Sequence, residues 1–380
     1  MVKIDMDNLV SITKIEGNIE DSVKKAIHRV GGMESLINKD EKVYLKPNFV
    51  APRDSSQGVT TNFEIIRVVA EEVSRCGSIP ILFETPAIEF EKEKVYNVLG
   101  VYDFAQQNEI GLIDGSLNLI KLPVPGGKVF KSLKIPQILH QAKIINLPKL
   151  KTHVSAKMTC GMKNLIGLLP DSEKRKVHIK GVHDSIADIC KVFRPVLTVV
   201  DAVTCQEGDG PTYGDRVDLG LIVAGKDIVS VDKVCSQIIG LPWEEVKYIS
   251  LLDGQRDTED IKVVGESLAD VNVHFSIPQK SAFYHLSYRM MYTLDVVFSK
   301  IFSRPFNQFL YSTGYIGTNP KIIKEKCNRC GDCIEVCPIE GALKMETYKV
   351  NYKDCIRCLN CFIACSQKAI TVKGVSRPKE

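Results

Sequence analysis

Cysteine spacing constrains this chain more than any other property. Cys327, Cys330, Cys333 and Cys337 read C-x2-C-x2-C-x3-C, and Cys355, Cys358, Cys361 and Cys365 repeat the same pattern. Three thiolates on one tight loop can cap one face of a cubic iron–sulfur cluster, and the fourth ligand then comes from the other copy. The expected ligand sets are therefore Cys327, Cys330, Cys333 and Cys365 for one [4Fe–4S] cluster, and Cys355, Cys358, Cys361 and Cys337 for the other. Zinc sites usually draw four ligands as two separated pairs, which is not this pattern. A disulfide framework calls for an oxidising compartment, and the N-terminal MVKIDMDNLVSITKIEG lacks the apolar core of an export signal.

The segment resembles a bacterial-type two-cluster ferredoxin domain. It departs from that pattern at one point: Pro338 follows Cys337, but Ser366 follows Cys365. From Lys321 to Glu380 there are 12 Lys or Arg and 7 Asp or Glu. A cluster with four thiolates contributes on the order of −2, so the loaded domain comes out near neutral. A permanently attached electron carrier has little need of a steering field.

With 380 residues and 44% hydrophobic content, the chain has room for a larger domain ahead of the clusters. A net charge of +4 is too mild to argue for nucleic acid. No run reaches 18 apolar residues, and thiol-rich sites without a disulfide context point to a reducing cytoplasm. Short apolar runs alternate with helical patterns: Val10–Ile15, Lys42–Leu45, Ile79–Glu84, Ala142–Pro148, Pro195–Ala202 and Leu219–Gly225 read as strands. The later three are nearly continuous in apolar residues, as strands buried on both faces are. Thr61 and Glu64 fit a capping box ahead of a helix. The expected fold is a layered α/β domain with a mostly parallel or mixed sheet over residues 1–279, plus a small C-terminal α+β domain over 321–380 that holds the clusters. Residues 280–320 are aromatic, Met-rich and basic. The bland reading is a helical connector packed between the two domains, and the alternative is an interfacial helix making peripheral membrane contact.

Four motifs in the α/β portion carry a second resemblance. Lys46-Pro47-Asn48, NLPKLKTH (146–153), GMKNLIGL (161–168) and EGDGP (207–211) are similar to the family catalogued as domain of unknown function 362, members of which often end in a two-cluster ferredoxin domain. The resemblance implies fold and cluster content, but no substrate.

The motifs share a placement. Polar residues just beyond strand ends are where open α/β sheets bind ligands. Lys46 and Asn48 follow one strand, Lys149, Lys151 and His153 another, and Asp201 closes a third. Lys46, Lys149, Lys151 and Lys163 suit a carboxylate or phosphate. His153 and Lys151 are the candidate catalytic groups, His153 because its ordinary pKa lies near neutrality. Asn48 and Asn164 suit a substrate carbonyl or a turn cap. Glu207 and Asp209 suit a cation or a proton. The glycine spacing at 208–214 is no dinucleotide fingerprint. These residues lead to an oxidoreductase that passes electrons through two clusters to a small anionic substrate, or to a bound cofactor, flavin or other, left unidentified. Its partner would be a low-potential electron donor or acceptor protein. The alternatives are an electron-transfer scaffold that docks a redox enzyme, and a non-redox enzyme with structural or sensing clusters.

Overall fold

A computed structural model describes residues 8–113, 118–253, 261–279, 282–302, 306–313 and 318–372. The chain begins with β1 (Leu9–Lys14), α1 (Ile19–Arg29), β2 (Lys42–Lys46), α2 (Phe63–Arg75), β3 (Ile79–Leu82) and the short β4 (Gly111–Leu112). Helix α1 starts where Asn18 accepts the Asp21 N–H, and it buries Val23, Ala26 and Ile27 along one stripe. Helix α2 differs from the expected capping box. Asn62, not Thr61, accepts the Glu64 N–H at 2.9 Å. The Thr61 hydroxyl instead accepts from Asn48 N and donates to Leu147 O, at 2.8 and 2.7 Å. Thr61 thus ties two strand ends together, and the next residue takes over the cap.

After β4 come β5 (Lys143–Asn146), β6 (Lys149–His153), β7 (Lys157–Thr159), β8 (Leu197–Glu207), β9 (Asp215–Gly225) and β10 (Lys262–Gly265). The sheet order is β10-β1-β9-β8-β5-β2-β3-β4, with β6 alongside β8 and β7 alongside β6. From β8 through β5, β2 and β3 to β4 every pairing is parallel, whereas β9 runs antiparallel to both β8 and β1. The expected α/β class with a mixed sheet is what forms.

Alternation along the strands explains the continuous apolar runs. Tyr44, Ile144, Val200 and Val223 pack into one core, while Val43, Leu45, Ile145, Val199 and Ile222 pack into a second core on the opposite face. Successive side chains point to opposite faces, so a strand covered on both sides must be apolar at every position. Pro148 separates β5 from β6, yet both lie parallel to β8, at Leu197↔Ile145 and again at Asp201↔Lys149.

The helices that matter to the site are α3 (Gly161–Asn164), α4 (Asp171–Lys180), α5 (Val182–Val192), α6 (Ile228–Ile238) and α7 (Ala282–Phe302). The N-terminal N–H groups of α3 are held by Asp232 of α6, at 2.7 Å from Gly161 and 3.1 Å from Met162. The C-terminal part is small: Pro320–Ile322 pairs with Ile370–Val372, and Leu343–Lys344 with Lys349–Val350. Among the described residues no helix is long and apolar enough to cross a membrane.

Candidate functional site

Two hollows and one large cavity are the candidate sites. Cys327, Cys330, Cys333 and Cys365 surround the first hollow, together with Ile322, Met345 and Ile370. Cys337, Cys355, Cys358 and Cys361 surround the second, with Pro320, Leu343 and Leu359. Each set joins three cysteines of one copy to the last cysteine of the other. The two loops also bend alike. Arg329 and Arg357 have φ of 61° and 59°, and Gly331 and Leu359 of 95° and 63°. Those left-handed residues curl each loop around its hollow.

None of the eight is in a disulfide. Burial pushes the Cys333 thiol up, and Cys365, Cys330 and Cys327 push it further. Burial likewise raises Cys361, with Cys358, Cys355 and Cys337 adding to it. Mutual repulsion among four sulfurs is what a bound cationic centre relieves. Among the described residues, no three His, Cys, Asp or Glu converge where a single metal ion would sit. Four sulfurs around a hollow suit a polynuclear cluster better than one ion.

The cavity measures about 700 Å³ and opens beyond the C-terminal ends of the parallel strands. Lys46, Asn48, His153, Lys163, Asn164 and Asp209 line it. Their commitments differ. Lys46 is 0% exposed and pairs with Glu84 at 2.6 Å. Burial outweighs that pairing for both partners, lowering Lys46 and raising Glu84. Asn164 is a knot: its amide donates to Lys46 O and Asn146 Oδ1, and its oxygen accepts from Asn48 Nδ2 at 2.9 Å.

Lys163 is different, because no acceptor for its ammonium stands among the described residues. Burial pushes it down to about 8. His153 accepts the Ser155 N–H at Nδ1, which leaves Nε2 as the protonated nitrogen of the neutral ring. Burial first, then Lys163, hold His153 well below its ordinary value. The same two causes, with Lys174, hold His178 down at about 3. Lys163 and two neutral imidazoles therefore share the cavity with Lys46 and Lys174.

Four expected residues lie outside its wall. Lys149 is buried against Asp201 at 2.8 Å, and Asp201 also accepts from Asn62 N at 2.8 Å. Lys151 stands behind Asn48, donating to its Oδ1 at 3.1 Å and to Val59 O. Burial, then Lys163 and Lys149, hold it well below a free lysine. Glu207 accepts the Ser276 N–H at 2.7 Å.

Several wall residues fall outside the sequence motifs. Glu84 ends an apolar strand just as Asn48 follows one, so the same placement rule would have found it. Lys174 and His178 stand four apart on one face of α4, and Lys174 donates to Thr85 O and Pro86 O. Glu89 accepts from Tyr292 of α7 at 2.6 Å, and burial pushes its carboxyl up. Tyr292 stacks on His178 with ring centroids 4.3 Å apart. Glu89 and Tyr292 lie 203 positions apart, which no local pattern reveals.

Arg53 ties the cavity loop to Thr318, just ahead of the cysteine-rich part. This side chain is 4% exposed. It donates to Thr212 O in the cavity loop and to Thr318 Oγ1, the latter at 2.7 Å, and lies over the Tyr213 ring. Its charge reaches Cys358, where it offsets part of the rise caused by burial. Thr318 itself lines the cavity.

Residues 43–237 match the model of a family described as Domain of unknown function (DUF362), and residues 319–368 match a 4Fe-4S dicluster domain. A Synechocystis protein named thylakoid-associated protein is 27% identical over 238 residues, spanning 59% of this chain and 71% of its own length. Pyruvate synthase subunit PorD of Methanocaldococcus jannaschii is 35% identical over 80 residues, 20% of this chain and 92% of PorD. A crystal structure of a Thermotoga maritima protein superposes with a TM-score of 0.38 at 12% identity, covering 60% of each chain.

Proposed function

The chain belongs to the DUF362 family and ends in a 4Fe-4S dicluster domain, and on that premise we propose that it is an oxidoreductase acting on a small anionic molecule held in the cavity. The observation that carries the reading is Lys163, unpaired among the described residues, in a cavity whose wall includes Thr318 at the start of the cysteine-rich part. Two bound [4Fe–4S] clusters, ligated by the two cysteine sets, would supply electrons one at a time.

The remaining work belongs to side chains. Lys163 binds the anionic end, since a buried cation without a partner gains most from a carboxylate or phosphate. His153 offers Nε2–H to the substrate, and Glu89, its carboxyl raised by burial, holds a proton beside Tyr292. Lys46, Asn48 and Asn164 are bound to one another, with Lys46 already paired to Glu84, and shape the wall instead of meeting the substrate's charge. Lys149, Lys151 and Glu207 position the strand ends from behind. The binding set thus narrows to Lys163 and His153, with Asp209 at the rim.

A second reading follows from the likeness of the cluster part to PorD: an electron carrier docked on a partner redox enzyme, whose α/β domain does no chemistry. One set of measurements separates the two. Anaerobically reconstituted protein is reduced, its EPR spectrum recorded, and reoxidation by a panel of small carboxylate- and phosphate-bearing acceptors followed in wild type, Cys330→Ser and Cys358→Ser. Oxidoreduction requires each serine variant to lose one cluster signal and to slow reoxidation at least tenfold. Reoxidation untouched by either substitution sinks the proposal. A spectrum that responds only to an added partner protein, with Lys163→Met harmless, favours the carrier.

A further inference from the structure

Helix α7 has two faces in different surroundings. Its inner side lends Ser287, Met291 and Tyr292 to the cavity and buries Asp295, which Arg175 holds at 2.7 Å. On the outer side Leu286, Met290, Leu294, Val297 and Ile301 recur every three or four residues, each between 46% and 67% exposed. That spacing makes one continuous apolar stripe. At its end Phe302 and Phe309, 59% and 48% exposed, gather around Phe298 with ring centroids 4.4 and 5.7 Å away. Soluble surfaces scatter such residues singly, so a contiguous run calls for a partner.

Charge tells which partner. Between residues 281 and 320 the only acidic residue is Asp295, the buried one, while Arg289, Lys300 and Arg304 are basic. Arg289 and Lys300 are exposed on one flank of the stripe. We propose that α7 is an interfacial helix that seats this protein on an anionic lipid surface, with the apolar stripe at the acyl boundary and Arg289 and Lys300 among the headgroups. A second copy of the chain fits worse. Three-four spacing would let two helices zip together, but flanking charges must then pair across the seam, and here cations would face cations with no exposed acid between residues 281 and 320 to answer them. Lipid phosphates supply the missing negative charge. A flat-lying helix of 21 residues spans roughly 30 Å, long enough for the whole stripe to contact the surface at once.

The test is flotation of the full, cluster-loaded chain with vesicles of phosphatidylcholine alone and of phosphatidylcholine mixed with phosphatidylglycerol. Wild type is expected to float with the mixed vesicles at least tenfold more strongly than with the neutral ones. Leu294→Glu with Ile301→Glu, both at exposed positions, should abolish flotation while the melting temperature stays put. Lys300→Glu should cut the preference for the mixed vesicles about fivefold or more. As a check independent of that double variant, Val297→Trp should shift its fluorescence to shorter wavelength on mixed vesicles. The proposal is overturned if wild type floats with neither vesicle, or if the Trp emission stays unchanged. Vesicle-free self-association that Leu294→Glu and Ile301→Glu abolish also overturns it, because a second copy would then be the occupant.

Discussion

Replacing Lys163 with methionine should make the protein more stable at neutral pH while removing the proposed anion site. Burial lowers the Lys163 ammonium from 10.5 to about 8 with no carboxylate to offset it. Every tenfold loss of proton affinity corresponds to about 1.4 kcal/mol, so keeping the charged form folded costs roughly 3 kcal/mol below pH 8. The side chain is partly open to the cavity, and screening there brings the figure nearer ~2 kcal/mol. Methionine is similar in length and carries no charge, so Lys163→Met should gain that amount. In a domain of this size the gain raises the melting temperature by about 4–8 °C.

The pH dependence follows from the direction in which burial moves the ammonium. Between about 8 and 10.5 the unfolded chain binds the Lys163 proton and the folded chain has released it, so wild-type stability rises with pH across that window. The advantage of Lys163→Met is therefore full at pH 7 and gone near pH 10.5. Urea titrations read through Trp243, the only tryptophan, measure both variants at each pH. A Lys163→Met protein no more stable than wild type at pH 7, with a gap that does not vary between pH 8 and 10.5, would refute the idea of a strained binding cation.

Lys149→Met should act with the opposite sign. It strands the fully buried Asp201 with backbone donors alone and should cost about 3–5 kcal/mol in the same urea titration; an unchanged midpoint would mean the pair contributes nothing. Gly167→Ala should also destabilise, by about 1–3 kcal/mol, because its Cβ would stand 2.1 Å from Glu84 Oε1 and 2.7 Å from Lys46 Nζ. Wild-type stability in that variant would show that the Lys46–Glu84 pair can move aside freely.

Local spacing was enough for much of the fold. The cysteine repeat, the strand-rich alternation and the polar residues at strand ends are short-range patterns, and short-range patterns survive in one dimension. The two-sided burial of β8 was legible because the run that opens it is nearly all apolar, whichever face each position serves. The roles of the lysines were not legible. Lys149, Lys151 and Lys163 look alike in sequence, within two neighbouring motifs. One is paired with Asp201, one is tucked behind Asn48 and one is unpaired in the cavity among the described residues. The difference lies in residues brought from 52 and 103 positions away, and a buried charge is defined by what stands beside it.

The sequence by itself determined that eight thiols form two interlocked sets and that a mixed α/β sheet precedes them, because ligand spacing and side-chain period are properties of the covalent chain. Only the tertiary structure decided that Arg53 joins the cavity loop to Thr318, that Glu89 meets Tyr292, and that one face of α7 is exposed. Those facts depend on which distant surfaces exclude water from one another, and burial of that kind exists only once the chain has folded.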